Sequence, residues 1–211
     1  MPTETAQFSR LDDATIRFFE KAAARKKFPK NTILLSKGDK SDSIYILCSG
    51  KAKAIARDEQ GKEIVLDVIG PGEYFGEMAA LDGGPRSATI VTKEPTEVLI
   101  ISKDDFQNSL SSNPDLMFNL VRVLLERLRK ADEKIESLAL MNVYGRVASF
   151  LMQSAEPQGA KWVIRESFTH QEIADMVGSS RETVSRTMRE LQDAGDISIE
   201  KKQTIIHKKL V

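Results

Sequence analysis

From Met117 to Leu138 the apolar residues Met117, Val121, Leu124, Leu128, Ala131, Ile135 and Leu138 follow one another at spacings that alternate between four and three. That is the repeat of a two-stranded coiled coil, so the stretch predicts a long helix with an apolar seam that needs a partner. Asn113 suits the N-cap, and Pro114 suits the first helical position, where a missing N–H is no loss. Arg127, Arg129, Lys130, Asp132, Glu133 and Lys134 surround the seam. The expectation is a homodimer formed through residues 113–141, with a lone amphipathic helix as the plainer reading.

On either side of this helix the hydrophobic period changes. Leu11, Ile16, Phe18, Phe19 and Ala22, with Asp12 and Asp13 in the first turn, predict a short amphipathic helix between Leu11 and Lys26. After Pro29 come short β-branched runs: Thr32 to Leu35, Ile44 to Cys48, Ala52 to Arg57, Ile64 to Val68, Ser87 to Val91 and Glu97 to Ile101. Turn signals at Gly38, Gly50, Gly61, Pro71-Gly72 and Gly83-Gly84-Pro85 separate them, which indicates an all-β sandwich or barrel. Beyond Asn142 a helical run, Val143 to Ser154, leads through the turn Pro157-Gln158-Gly159 to a strand at Trp162 to Arg165. Thr169 and Glu172 then form a capping box, and Ile173, Ala174 and Val177 make a buried stripe. Gly178 permits a sharp turn into a second helix that starts near Ser180 and buries Val184, Met188 and Leu191. Two strand runs follow, Ile197 to Ile199 and Thr204 to Ile206, so the order reads as a winged helix-turn-helix.

Composition narrows the function. At 211 residues the chain holds two small domains, and 41% hydrophobic with 29% charged residues is ordinary for a soluble protein. With 31 basic against 31 acidic residues, any affinity for DNA has to come from local charge placement. The apolar runs are too short to span a bilayer and Met1 to Arg10 has no apolar signal core, so a cytoplasmic protein without membrane contact is expected. Cys48 is the only cysteine, and His170 and His207 stand at no metal-ligand spacing. No metal, haem or iron–sulfur cluster is expected, and Cys48 reads as a small hydrophobe in the run IYILC.

Two stretches carry recognition chemistry. In GPGEYFGEMAALDGGPRSAT, from Gly70 to Thr89, Gly76 lets the backbone approach an anion at the start of a short helix, where Glu77, Met78 and Ala79 present N–H groups. Arg86 offers a charged fork for a phosphate, Ser87 adds a hydroxyl donor, and the Glu77 carboxylate can accept a sugar hydroxyl proton. The plainer reading is a structural ion pair between Glu77 and Arg86. On the second helix of the C-terminal segment, Arg181, Glu182, Ser185, Arg186 and Arg189 lie opposite the buried stripe. Arginine can grip guanine O6 and N7, and glutamate can accept from cytosine N4. His170, Gln171, Thr183, Thr187, Lys201 and Lys202 are of types suited to the DNA backbone, and Ser180 is a further candidate DNA contact. Here the plainer reading is a solvated face laced by Glu182 and Arg186.

The sequence FGE, a spacer and then PRSAT resembles the phosphate-binding cassette of the cyclic-nucleotide-binding domain, in which a Gly-Glu pair and an Arg-Ser pair close around the cyclic phosphate and ribose. With the central helix and GSSRETVSR, nearly the whole chain resembles the CRP/FNR family of bacterial transcription regulators, close to its cyclic-AMP receptor subgroup. The resemblance implies an α+β architecture: a jelly-roll β-roll over 1–112, a dimerisation helix over 113–141 and a winged helix-turn-helix over 142–211. It implies ligand contacts at Gly76, Glu77, Met78, Arg86, Ser87, Ala88, Ala131 and Asp132, and a TGTGA-like palindrome read by Arg181, Glu182 and Arg186. It also implies RNA polymerase as a partner.

One departure matters: cyclic-AMP receptors usually carry a Thr-Ser pair where this chain has Ala131-Asp132. Ala131 cannot hydrogen-bond, and the Asp132 carboxylate suits an adenine amino group or the adjacent N–H donors of guanine. The ligand is thus open between cAMP, which is favoured, and cGMP or cyclic di-GMP. A regulator that works without ligand is a further alternative. A regulatory module for another protein is disfavoured by the helix-turn-helix, and a phosphodiesterase by the missing metal ligands, so no enzyme is expected.

Overall fold

The computed structural model describes Leu11 and residues 13–20, 23–200 and 203–210. Asp12, Ala22, Lys201, Lys202 and the stretch Met1 to Arg10 lie outside the described residues. The chain forms two compact units, residues 1–56 with 66–131 and residues 57–65 with 132–211.

The first unit is built on two four-stranded antiparallel sheets. In chain order its elements are α1 (Asp13–Glu20), β1 (Ala24–Phe28), β2 (Ile33–Leu35), β3 (Ile44–Ser49), β4 (Ala52–Arg57), β5 (Glu63–Ile69), β6 (Tyr74–Phe75), α2 (Glu77–Asp82), β7 (Thr89–Thr92), β8 (Thr96–Ile101) and α3 (Lys103–Ser112). One sheet runs β1-β8-β3-β6 and the other β2-β7-β4-β5. Strands β3 and β8 are buried on both faces. Leu47 and Val98 join Leu35, Ala54, Ile69 and Ile90 of the facing sheet in one cluster, whereas Ile44, Ile46, Leu99 and Ile101 point the other way onto helices. Side chains alternate along a strand, so only a run that is apolar at every position can line two cores, and IYILC and VLII are such runs.

The helical core on the outer face takes Phe19 from α1, Phe106 and Leu110 from α3, and Leu116, Leu120 and Val123 from α4 (Pro114–Leu140). Asn113 Oδ1 accepts from Leu116 N at 3.3 Å, which caps α4 as its sequence predicts. The α4 residues recur at intervals of four and three and form a second apolar stripe beside the predicted seam. Each such burial is worth about 2 kcal/mol, so the start of α4 is anchored to its own unit. Leu124, placed on the seam from its spacing, is half-buried and also packs against this core, while Leu125 is 48% and Phe118 66% exposed. Met117, Val121, Leu128, Ile135 and Leu138 are exposed as the seam reading expects.

Several elements differ from the sequence reading. Strand β1 takes Ala24 to Lys26 from the end of the stretch assigned to the first helix, because ARKKF pairs with β8 from Ala24↔Ile100 to Phe28↔Thr96. Helix α3 and the short strand β6 went unread: α3 is a polar helix with a weak stripe, capped by Ser102, and β6 has only two residues. Tyr74 is buried, its hydroxyl has no partner among the described residues, and burial pushes its pKa up. An unsatisfied buried hydroxyl costs roughly 1–3 kcal/mol, so Tyr74→Phe is expected to raise stability by about 1 kcal/mol in denaturant titrations. A stability loss in that variant would show that the hydroxyl has a partner in solution.

The second unit holds the end of α4, then α5 (Val143–Gln153), β9 (Glu156–Gln158), β10 (Lys161–Ile164), α6 (His170–Val177), α7 (Arg181–Asp193), β11 (Ile197–Glu200) and β12 (Gln203–Ile206). Its sheet runs β11-β12-β10-β9. Val147 and Leu151 of α5, Ile173 and Val177 of α6, Val184, Met188 and Leu191 of α7, and Ile206 of β12 share one core. This is the winged helix-turn-helix, with β9 formed where a turn was predicted.

Candidate functional site

The site in the first unit is organised by Gly76, between β6 and α2. Its φ of 85° lies in the left-handed region, and a Cβ there would come within 2.6 Å of Arg86 Nη1 and 3.0 Å of the Ser43 carbonyl oxygen. Only glycine allows that approach. Arg86 sits on the loop before β7, held by Arg86 N donating to Asp39 O at 3.0 Å and Gly38 N donating to Arg86 O at 2.9 Å. Arg86 as a whole is 3% exposed. Nη1 donates to Gly76 O at 2.7 Å, and Nη2 donates to Ser41 Oγ at 2.9 Å and Ser43 O at 2.7 Å. These partners are all neutral oxygens, and among the described residues Nε has none. Burial lowers the pKa of this cation, with Tyr45, Asp42, Glu77 and Asp39 opposing it from a distance. A buried cation with only neutral partners is suited to receive an anion, since a phosphate would supply both an acceptor and a countercharge.

Glu77 is also buried, yet it pairs with neither Arg86 nor solvent. Its Oε1 accepts from Arg127 Nη1 of α4 at 2.6 Å, and Arg127 also donates to Tyr74 O and lies 5.5 Å from the centre of the Tyr74 ring. Burial alone would lower the Arg127 pKa, but Glu77, then Asp67 and Tyr74, more than offset it. The structural ion pair between Glu77 and Arg86 is therefore replaced by one between Glu77 and Arg127. Arg127 was read from sequence only as a charge beside the seam. The signal that finds it is the second stripe of α4, Leu116, Leu120 and Val123, which it continues four residues on. Met78 and Ser87 are exposed at the mouth of this site, with Ser87 Oγ 3.5 Å from Met78 Sδ, and Ala88 is half-buried. Ala131 and Asp132 are exposed on α4.

In the second unit the capping box is formed: Thr169 Oγ1 accepts from Glu172 N at 3.1 Å, and Glu172 Oε2 accepts from Thr169 N at 2.9 Å. Gly178 turns the chain with φ 66°, and Ser180 Oγ caps α7 by accepting from Thr183 N at 3.1 Å. Arg181, Glu182, Arg186 and Arg189 are exposed on α7, with Thr183 and Ser185 half-exposed. Among the described residues no ion pair joins Glu182 to Arg186, so the lacing of that face is not formed. Thr187 corrects the expectation of a DNA contact: it is buried with Val184 and Met188 on the core side. His170 is half-exposed at the start of α6, and Gln171 Nε2 donates to Asp175 Oδ1 at 2.7 Å.

A family model of the cyclic nucleotide-binding domain matches residues 25–113, and one of the Crp-like helix-turn-helix domain matches residues 145–210. The cAMP-activated global transcriptional regulator CRP of Pasteurella multocida is 34% identical over 203 residues, 92% of this chain and 95% of that protein. This chain belongs to the CRP/FNR family of transcription regulators. A CRP-like cAMP-activated global transcriptional regulator of Mycobacterium tuberculosis is 30% identical over 94% of this chain and 91% of its own length. Among solved structures, the c-di-GMP responsive global regulator CLP of Xanthomonas campestris superimposes with a TM-score of 0.80 at 28% identity, covering 93% of this chain and all of that one. As a CRP/FNR regulator the chain combines cyclic-nucleotide-binding and DNA-binding domains. Among the described residues no cluster of His, Cys, Asp and Glu can hold a metal, and no helix is long and apolar enough to cross a membrane.

Proposed function

We propose that this CRP/FNR regulator is a homodimer whose sequence-specific DNA binding is gated by a cyclic nucleotide. The observation that carries the ligand half is Arg86: a buried guanidinium with neutral partners and an orphaned Nε, beside a glycine that admits no side chain. In this reading the cyclic phosphate takes Arg86 and Ser87, and the ribose hydroxyl competes with Arg127 for Glu77. Because α4 carries Arg127, ligand binding then alters the forces on the helix that runs on into the second unit. Gating requires different ligand affinities in two states of the dimer. The remaining ligand contacts are Gly76, Met78, Ala88, Ala131 and Asp132. Calorimetric titration with cAMP, cGMP and cyclic di-GMP tests the reading. Micromolar or tighter binding of one of them is expected, and no heat with any would leave a ligand-independent regulator.

A guanine ligand is the second reading, because the exposed Asp132 carboxylate, where cyclic-AMP receptors usually carry a hydroxyl, suits the adjacent N–H donors of guanine as well as an adenine amino group. Replacing Ala131 by Thr together with Asp132 by Ser is expected to shift preference toward cAMP by about tenfold, the worth of one good hydrogen bond. An unchanged preference in that titration shows that these positions do not face the base.

On DNA, Arg181, Glu182 and Arg186 read base edges of a TGTGA-like inverted repeat, and His170, Gln171, Ser180, Thr183 and Ser185 add further contacts. Two-fold symmetry demands a palindrome. Selection from random duplexes is expected to recover one, and Arg181→Ala should cost about 1–3 kcal/mol on it and relax one guanine position. Recovery of a site without inverted symmetry would overturn this assignment. The protein acts in the cytoplasm, with RNA polymerase as its partner, as a regulator rather than an enzyme.

A further inference from the structure

The C-terminal turn of α6 receives groups from α4 and α5, all within the second unit. Lys134, in the last third of α4, donates its Nζ to the Met176 carbonyl oxygen. Arg146 of α5 donates Nε to the Val177 carbonyl oxygen at 2.9 Å, and its Nη1 donates to Met141 O at 2.8 Å. At the next residue, a Cβ on Gly178 would lie 3.0 Å from Leu138 Cδ2. The last carbonyls of a helix have no partner within it and carry the negative end of its dipole, so two cations there are well placed. Lys134 is half-buried, and burial, with Arg146 nearby, pulls its pKa below that of an ordinary lysine. A desolvated ammonium is costly unless it gains a strong acceptor, and Met176 O is that acceptor.

We propose that Lys134 is a positioning residue for DNA recognition: it fastens α6 to the end of α4 and so fixes the direction in which α7 presents Arg181 and Arg186. The residue touches no base itself. Two α7 helices of a dimer must meet two half-sites together, which demands a fixed direction for each, whereas one helix on one half-site demands only a folded domain. This inference rests on the DNA reading above and adds to it the group that holds the reader in register.

The test compares a duplex bearing the TGTGA inverted repeat with one bearing a single half-site, using the full-length protein. Lys134→Met keeps the apolar stem and removes the donor; it is expected to lose tenfold or more in affinity for the inverted repeat and to stay within twofold of wild type on the half-site. Lys134→Arg, which keeps charge and donor, should bind both duplexes nearly as wild type does. Three results would each overturn the proposal: unchanged affinity of Lys134→Met for the inverted repeat, an equal loss on both duplexes, or a Lys134→Arg variant as weak as Lys134→Met. Wild-type protein that does not prefer the inverted repeat to the half-site would overturn the DNA reading itself, and this inference with it.

Discussion

Replacing Arg86 by alanine is expected to weaken cyclic-nucleotide binding by about a hundredfold or more, since a forked contact between guanidinium and phosphate comprises two charge-assisted hydrogen bonds worth roughly 1.5–3 kcal/mol each. The side chain has a structural duty too, because it satisfies Gly76 O, Ser43 O and Ser41 Oγ. Calorimetry on Arg86→Ala therefore needs a parallel unfolding curve. Arg86→Lys separates the two contributions: it keeps a positive charge and loses the fork, so its affinity should fall between wild type and alanine. Wild-type affinity in a folded Arg86→Ala protein would show that the phosphate binds elsewhere.

The second large effect concerns the exposed face of α4. Replacing Val121 and Leu128 together by glutamate is expected to leave a folded monomer at micromolar concentration in sedimentation, and to remove binding to an inverted repeat. Both side chains are exposed, so their change costs the single chain little, while like charges brought together in a seam cost several kcal/mol. Leu124→Glu supplies the contrast. Leu124 packs against the core of its own unit, so that variant should lose stability before it loses association. A Val121 and Leu128 double variant that still sediments as a dimer would place the interface on another surface.

The difference between Leu124 and Leu125 illustrates how much of α4 could be read in advance. A run such as NLVRVLLERL is apolar on more than half of its circumference, and a spacing of four and three fits two stripes equally well. The sequence reading found one stripe, with Leu124 on it. The other, Leu116, Leu120 and Val123, is the one that packs within the first unit, and it brings Arg127 to Glu77. Arg127 could be found only by asking where that second stripe leads.

Local signals were legible wherever they depend on neighbours in the chain. The capping box of Thr169 and Glu172, the cap at Ser180 and the left-handed turns at Gly76 and Gly178 are all formed as their residue types predict. The boundaries of α7 and its buried Val184, Met188 and Leu191 follow from helical periodicity, although Thr187 shows that a hydroxyl between them can be drawn to the core side. Strand β1 was not legible, because ARKKF has no apolar alternation of its own. Its five residues are extended because β8, some seventy positions on, offers them a ladder.

The sequence by itself determined the order of the architectural parts, the left-handed turn at Gly76, and the face of α7 that leaves Arg181, Glu182 and Arg186 exposed. Those features are set by backbone conformation, by residue chemistry and by periods of two or 3.6 residues, all of which act over a few neighbours. The tertiary structure alone decided that Glu77 answers to Arg127, that Arg86 is buried among neutral oxygens with Nε unsatisfied, and that Lys134 and Arg146 close the end of α6. Each of these joins charged or polar groups separated by 31 or more positions, or by burial that no local pattern records. Long side chains of one charge look alike along a helix; what distinguishes them is which acceptor the folded chain brings within reach and how little water is left there.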